Sequence, residues 1–115
     1  MLGYSGTDTL IGNNGNDSLY GGNNNDILYG GIGDDSLYGG KHNDILYGEI
    51  GNDTLNGGNG DDVLSGGNND DSLYGGIGYD QLTGGSGSDV FQIVTGHGRD
   101  SVSYTHLTLP TNTVV

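Results

Sequence analysis

Gly30-Gly31-Ile32-Gly33-Asp34-Asp35-Ser36-Leu37-Tyr38 is a full copy of a nine-residue unit, G-G-x-G-x-D-x-L-x. Its aspartate and leucine recur as Asp8/Leu10, Asp17/Leu19, Asp26/Leu28 and Asp35/Leu37. They continue through Asp44, Asp53, Asp62, Asp71 and Asp80, and the series closes with Asp89-Val90-Phe91. The step is nine residues every time, and ten copies fill Gly3 to Gln92 of the 115-residue chain. A period of this length is the signature of a stacked repeat architecture.

Two or three glycines in every nine residues exclude helix, since each weakens it by roughly 1 kcal/mol. The first six positions of the unit read as a tight turn needing positive φ. The last three, such as Ile27-Leu28-Tyr29, read as a very short strand whose middle residue faces inward. Strand plus turn is half a coil, so two units, or 18 residues, bring the chain back to where it began. About five such coils stack into an all-β, right-handed parallel β-roll: a β-solenoid of two sheets with a single-file core running from Leu10 to Phe91.

Composition narrows the function. Fifteen acidic residues face two basic ones, for a formal charge of −13, which repels nucleic acid. No apolar run approaches the ~20 residues of a membrane span. The chain has no cysteine, so neither a disulfide framework nor a thiolate metal site forms. Stacking at 18 residues lines up Asp8, Asp26 and Asp44 one strand spacing apart, about 4.8 Å. One leucine per nine residues is a thin core to set against that repulsion. The sequence calls for a cation.

Calcium suits the turn. It takes six to eight oxygens from carboxylates and backbone carbonyls, and glycine exposes carbonyls that a side chain would cover. Magnesium demands octahedral geometry and keeps its waters, and zinc lacks nitrogen and sulfur ligands here. The expected ligands are Asp8, Asp26, Asp44, Asp62 and Asp80 on one edge and Asp17, Asp35, Asp53, Asp71 and Asp89 on the other. Turn carbonyls of Gly12, Asn14, Gly21, Asn23, Gly30, Ile32, Gly39, Lys41, Gly57, Asn59, Gly66, Asn68, Gly75 and Ile77 complete the set. Four gaps between stacked turns on each edge allow up to about eight calcium ions.

These units resemble the RTX nonapeptide of calcium-binding parallel β-roll proteins, G-G-x-G-x-D-x-U-x, over Gly3–Gln92. The resemblance implies a secreted or cell-surface bacterial protein, exported through type I secretion machinery and folding outside the cell on meeting calcium. It implies a calcium-binding module that supports secretion and scaffolds a neighbouring effector domain of the parent chain. The unit departs from the pattern at position two in Tyr4, Asn13 and Glu49, and at position four in Asn24, His42 and Asn69. Asn and His tolerate the left-handed region better than most residues. Asp34, Asp61 and Asp70 at position five are extra acids, read as solvated charge on the turn rim.

Other readings fail on particular residues. No G-x-G-x-x-G or P-loop occurs, and the one glutamate, Glu49, cannot supply an EF-hand's terminal ligand. The histidines His42, His97 and His106 have no serine or acid at a catalytic spacing, so no residue is assigned to catalysis. Tyr20, Tyr29, Tyr38, Tyr47 and Tyr74 occupy position nine, face outward and pair at 18-residue spacing. The alternative function is therefore an adhesin or matrix-type repeat whose tyrosine face binds a partner or glycan. Substituting Tyr38 and Tyr47 separates the two, because adhesion is lost with calcium affinity intact only in the adhesin.

After Gln92 the period breaks. Residues 93–101 resemble part of the family's capping segment. Val102-Ser103-Tyr104-Thr105-His106-Leu107-Thr108-Leu109-Pro110-Thr111 matches, residue for residue, the translation of a transposase sequencing adapter. The stretch 102–115 is therefore read as a non-native tail.

Overall fold

The computed structural model describes residues 1–93, 100–103 and 113–115. These form β1 (Leu2–Ser5), β2 (Thr9–Asn14), β3 (Ser18–Asn23), β4 (Ile27–Ile32), β5 (Ser36–Lys41), β6 (Ile45–Ile50) and β7 (Thr54–Asn59). Then follow β8 (Val63–Asn68), β9 (Ser72–Ile77), β10 (Gln81–Ser86), β11 (Val90–Gln92), β12 (Ser101–Ser103) and β13 (Thr113–Val114). Odd-numbered strands build one sheet in the order β1-β3-β5-β7-β9-β11-β13, and even-numbered strands build the other, β12-β10-β8-β6-β4-β2. Pairing is parallel throughout and keeps an 18-residue register from β1 to β11: Leu10 lies beside Leu28, Leu28 beside Leu46, and Leu19 beside Leu37. The chain is a β-solenoid of about five coils, as the period predicts.

Between the sheets runs one file of side chains: Leu10, Leu19, Leu28, Leu37, Leu46, Leu55, Leu64, Leu73, Leu82 and Phe91, each 3 % exposed or less. Ile93 and Val102 pack against its end. Of the stretches expected as cap and tail, 94–99 and 104–112 lie outside the described residues. Ser101–Ser103 runs beside β10, and Thr113–Val114 beside β11.

The strands are longer than the three residues expected. They take in positions seven to nine and then one to three of the next unit, leaving positions four to six as the turn. Local propensity argues against strand at the glycine pair. The next coil overrides it, because in-register stacking brings each backbone position beside its own equivalent. The pairing nevertheless skips the first glycine of every unit: Tyr20 pairs with Tyr38 and Gly22 with Gly40, but Gly21 has no such partner.

Position two, inside the strand, and position four, in the turn, both carry positive φ. The six departures from glycine, Tyr4, Asn13, Asn24, His42, Glu49 and Asn69, keep that conformation at φ between 75 and 81°. Their turns form, as expected of Asn and His. A side chain at these positions must also clear the preceding coil. A Cβ on Gly60 would strike the His42 carbonyl, whereas one on Gly6, in the first coil, would meet nothing within 4 Å.

Candidate metal centre

The sixth-position aspartate closes each turn and points into the roll. Asp26, Asp35, Asp44, Asp53, Asp62, Asp71, Asp80 and Asp89 are 2 % exposed or less; Asp8 and Asp17, in the first coil, are half-buried.

The two carboxylate oxygens have different surroundings. Oδ1 accepts the backbone N–H of the aspartate one coil earlier, so Asp26 N donates to Asp44 Oδ1 at 2.8 Å and Asp44 N to Asp62 Oδ1 at 2.7 Å. On the other edge Asp35 N donates to Asp53 Oδ1, and Asp53 N to Asp71 Oδ1, both at 2.8 Å. The aspartate carbonyl accepts in turn from position seven of the next coil, as Ile45 N does to Asp26 O at 2.9 Å. Each column is thus tied along its length as well as loaded with like charge.

Oδ2 has no such support. In Asp8, Asp17, Asp26, Asp35, Asp44, Asp53, Asp62, Asp71 and Asp80 it is buried without a hydrogen-bond partner. Its surroundings include another acceptor. A Cβ on Gly39 would stand 2.5 Å from Asp44 Oδ2 and 2.7 Å from the carbonyl oxygen of Gly57 in the next coil. On Gly30 it would meet Asp35 Oδ2 at 2.5 Å and the Gly48 carbonyl at 2.8 Å. Carboxylate and carbonyl oxygens therefore crowd one face of the first glycine. A buried anionic oxygen left this way is costly until a proton or cation joins it.

Most first-glycine carbonyls named from the sequence come to this place. Those of Gly21, Gly30, Gly39, Gly57 and Gly66, with Gly75, each lie over the first glycine one coil earlier. Gly12, in the first coil, has no earlier coil to face. The Gly48 carbonyl takes the same position and was missed, although its place as first glycine of the sixth unit was legible. Third-position carbonyls are engaged differently: those of Ile32, Asn68 and Ile77 accept the N–H of Gly15, Gly51 and Gly60. Asn14, Asn23, Lys41 and Asn59 hold the same register on their strands.

Two features escaped the sequence reading. Position five forms an outer ladder of side-chain acceptors: Asp34 N donates to Asn16 Oδ1 and Asn52 N to Asp34 Oδ1, both at 2.9 Å. Asp61 and Asp70 accept from Tyr79 N and Ser88 N in the same way. The rim acids are therefore tied to the next turn as well as solvated, and asparagine or aspartate recurring at that position was the available signal. The second is Asp100, which lies beyond the uninterrupted period and whose Oδ2 is also buried and unpartnered.

His42 Nδ1 accepts from Asn24 N at 3.2 Å on the exposed turn edge. The outward tyrosines pair as spaced: Tyr29 and Tyr47 stack with centroids 5.1 Å apart, and Tyr20 and Tyr38 tilt at 5.8 Å.

Burial pushes Asp62 and Asp71 up to about 7 and Asp44 and Asp53 to about 6, from an ordinary 3.8. The accepted N–H pulls the other way, and neighbouring aspartates of the column push up again. Asp26, Asp35 and Asp80 are also raised, chiefly by burial. A raised folded-state value stabilises fully below the unfolded value near 4, and that contribution is lost as pH rises through about 6 to 7. In chelator, β structure measured by circular dichroism should therefore increase from pH 8 to pH 5. Calcium needs deprotonated oxygens, so its midpoint should rise over the same interval. A pH-independent apo signal with a pH-independent midpoint would contradict this electrostatic account.

Among the described residues no three His, Cys, Asp or Glu side chains converge on one point. Backbone carbonyls beside each carboxylate offer a cation a hard all-oxygen set, which fits calcium. Among those residues no helix is long and apolar enough to cross a membrane.

A family model described as RTX calcium-binding nonapeptide repeat (4 copies) matches residues 2–37, 22–55, 48–82 and 56–91. No curated protein and no solved structure matches the chain.

Proposed function

The chain belongs to the family of RTX calcium-binding nonapeptide repeats, and on that premise we propose that it is a calcium-triggered folding module of a secreted bacterial protein. It supports export by staying unfolded inside the cell, and outside it scaffolds a neighbouring effector domain. The observation that carries this reading is the file of buried, unpartnered Oδ2 atoms set against next-coil carbonyls.

Calcium supplies the positive charge that both oxygens lack. The chain does the rest. Asp Oδ1 holds the carboxylate to the coil before it, the missing Cβ of the first glycine leaves room, and the leucine file keeps water out. Extracellular modules bind calcium at roughly 0.1–1 mM, so such sites would fill outside a cell and empty in its cytosol. At ten times Kd one site contributes about 1.4 kcal/mol and eight independent sites about 11. That is the whole stability of an ordinary domain, ~5–15 kcal/mol.

Trypsin tests the switch, because Lys41 and Arg99 are the chain's only basic residues. Lys41 ends β5 at mid-roll. It should be cut rapidly in chelator or magnesium and resist in millimolar calcium. Cutting at equal rates in all three would defeat the proposal.

A further inference from the structure

The C-terminal end of one aspartate column extends past the ten uninterrupted units. Asp80 is 1 % exposed and its Oδ2 has no hydrogen-bond partner. The next acid on that edge is Asp100, twenty residues on instead of eighteen. Asp80 N donates to Asp100 Oδ1 at 3.2 Å, and Ser101 N donates to the Asp80 carbonyl at 2.7 Å. These are the two bonds that tie every earlier aspartate to its neighbour. β12 then pairs Gln81 with Ser101, Leu82 with Val102 and Thr83 with Ser103, which are positions seven, eight and nine. Val102, partly buried, packs against the core file.

Residues 95–101, T-G-H-G-R-D-S, accordingly read as the first seven positions of an eleventh, degenerate unit displaced by the two residues Ile93-Val94, with Val102 and Ser103 of the stretch read as non-native standing in its last two places. Asp100 Oδ2 is buried and unpartnered, and Asp100 Oδ1 takes the Asp80 backbone N–H, the place Asp80 Oδ1 holds for Asp62 one coil earlier. Two carboxylates in successive places of one column, each with a buried oxygen lacking a donor, repel unless a proton or cation sits with them.

We propose that Asp80 and Asp100 hold one further calcium ion at the C-terminal end of the column, beyond the eight that ten units allow. This rests on the calcium reading above. The ion staples the coil carrying β12 to the one carrying β10.

The test is ion counting on the full chain by equilibrium dialysis against calcium, with Asp100→Asn and Asp53→Asn compared to the parent. Asn at 100 keeps an acceptor for Asp80 N and removes the charge. Asp100→Asn should bind one ion fewer, with the remaining sites within about twofold of their parent affinity. An unchanged count in Asp100→Asn beside a reduced one in Asp53→Asn overturns this inference alone. A parent chain that binds no calcium overturns the functional reading beneath it. Calcium anomalous scattering from crystals of the parent decides the point even if the variant folds poorly. A peak between Asp80 and Asp100 supports the site, and peaks in the other gaps with none there overturn it.

Discussion

Gly39→Ala is expected to abolish calcium-dependent folding of the coils on either side of it. On propensity alone the change should help, because alanine in a strand is favoured over glycine by roughly 0.5–1 kcal/mol. The backbone at Gly39 does not need positive φ. Space decides the sign. The added methyl would stand 2.5 Å from Asp44 Oδ2, 2.8 Å from Asp44 Cβ and 2.7 Å from the Gly57 carbonyl oxygen, all far inside contact distance. Neither neighbour can retreat: the carboxylate is held by Asp26 N, and the carbonyl belongs to the next coil's backbone. Overpacking against such a wall costs about 3 kcal/mol or more, and here it also fills the place where the two oxygens meet. Circular dichroism of the variant in rising calcium should show no parent-like transition. A parent-like midpoint would mean that the first glycine is not needed for close approach.

Asp53→Ala should raise the calcium midpoint tenfold or more, and Asp8→Ala should raise it far less. Asp53 sits mid-column. Its loss leaves Asp35 N buried without the acceptor it now has at 2.8 Å, worth roughly 1–3 kcal/mol, and removes the buried Oδ2 proposed to hold calcium. Asp8 is half-buried in the first coil, with no coil before it to donate to its Oδ1. Asp44→Ala should behave like Asp53→Ala. Equal midpoints for Asp8→Ala and Asp53→Ala would contradict a stack in which each aspartate serves the gaps beside it.

The nine-residue step made Leu10 to Phe91 legible as one file and the ten aspartates as two columns, because side-chain direction in a stacked strand depends on position alone. The outward tyrosine pairs followed from the same arithmetic. The extent of each strand did not, since Gly30, Gly31 and Ile32 are recruited by the neighbouring coil and not by their own propensity. The division of labour within each carboxylate was equally hidden. Spacing places Asp26 beside Asp44 but cannot say that Oδ1 takes a backbone N–H while Oδ2 takes nothing. Asp100 was missed for a simpler reason: Ile93-Val94 shift it off the period, and only the pairing of Leu82 with Val102 restores the frame.

The most direct test is far-UV circular dichroism of the full chain at pH 8 during a calcium titration, with magnesium as the control. Buried carboxylate oxygens that face carbonyls predict a chain without β structure in chelator. They predict a cooperative transition to β near millimolar calcium, and none in magnesium. A β spectrum already complete in chelator at pH 8 would show that the roll stands without a cation, and the account would fail.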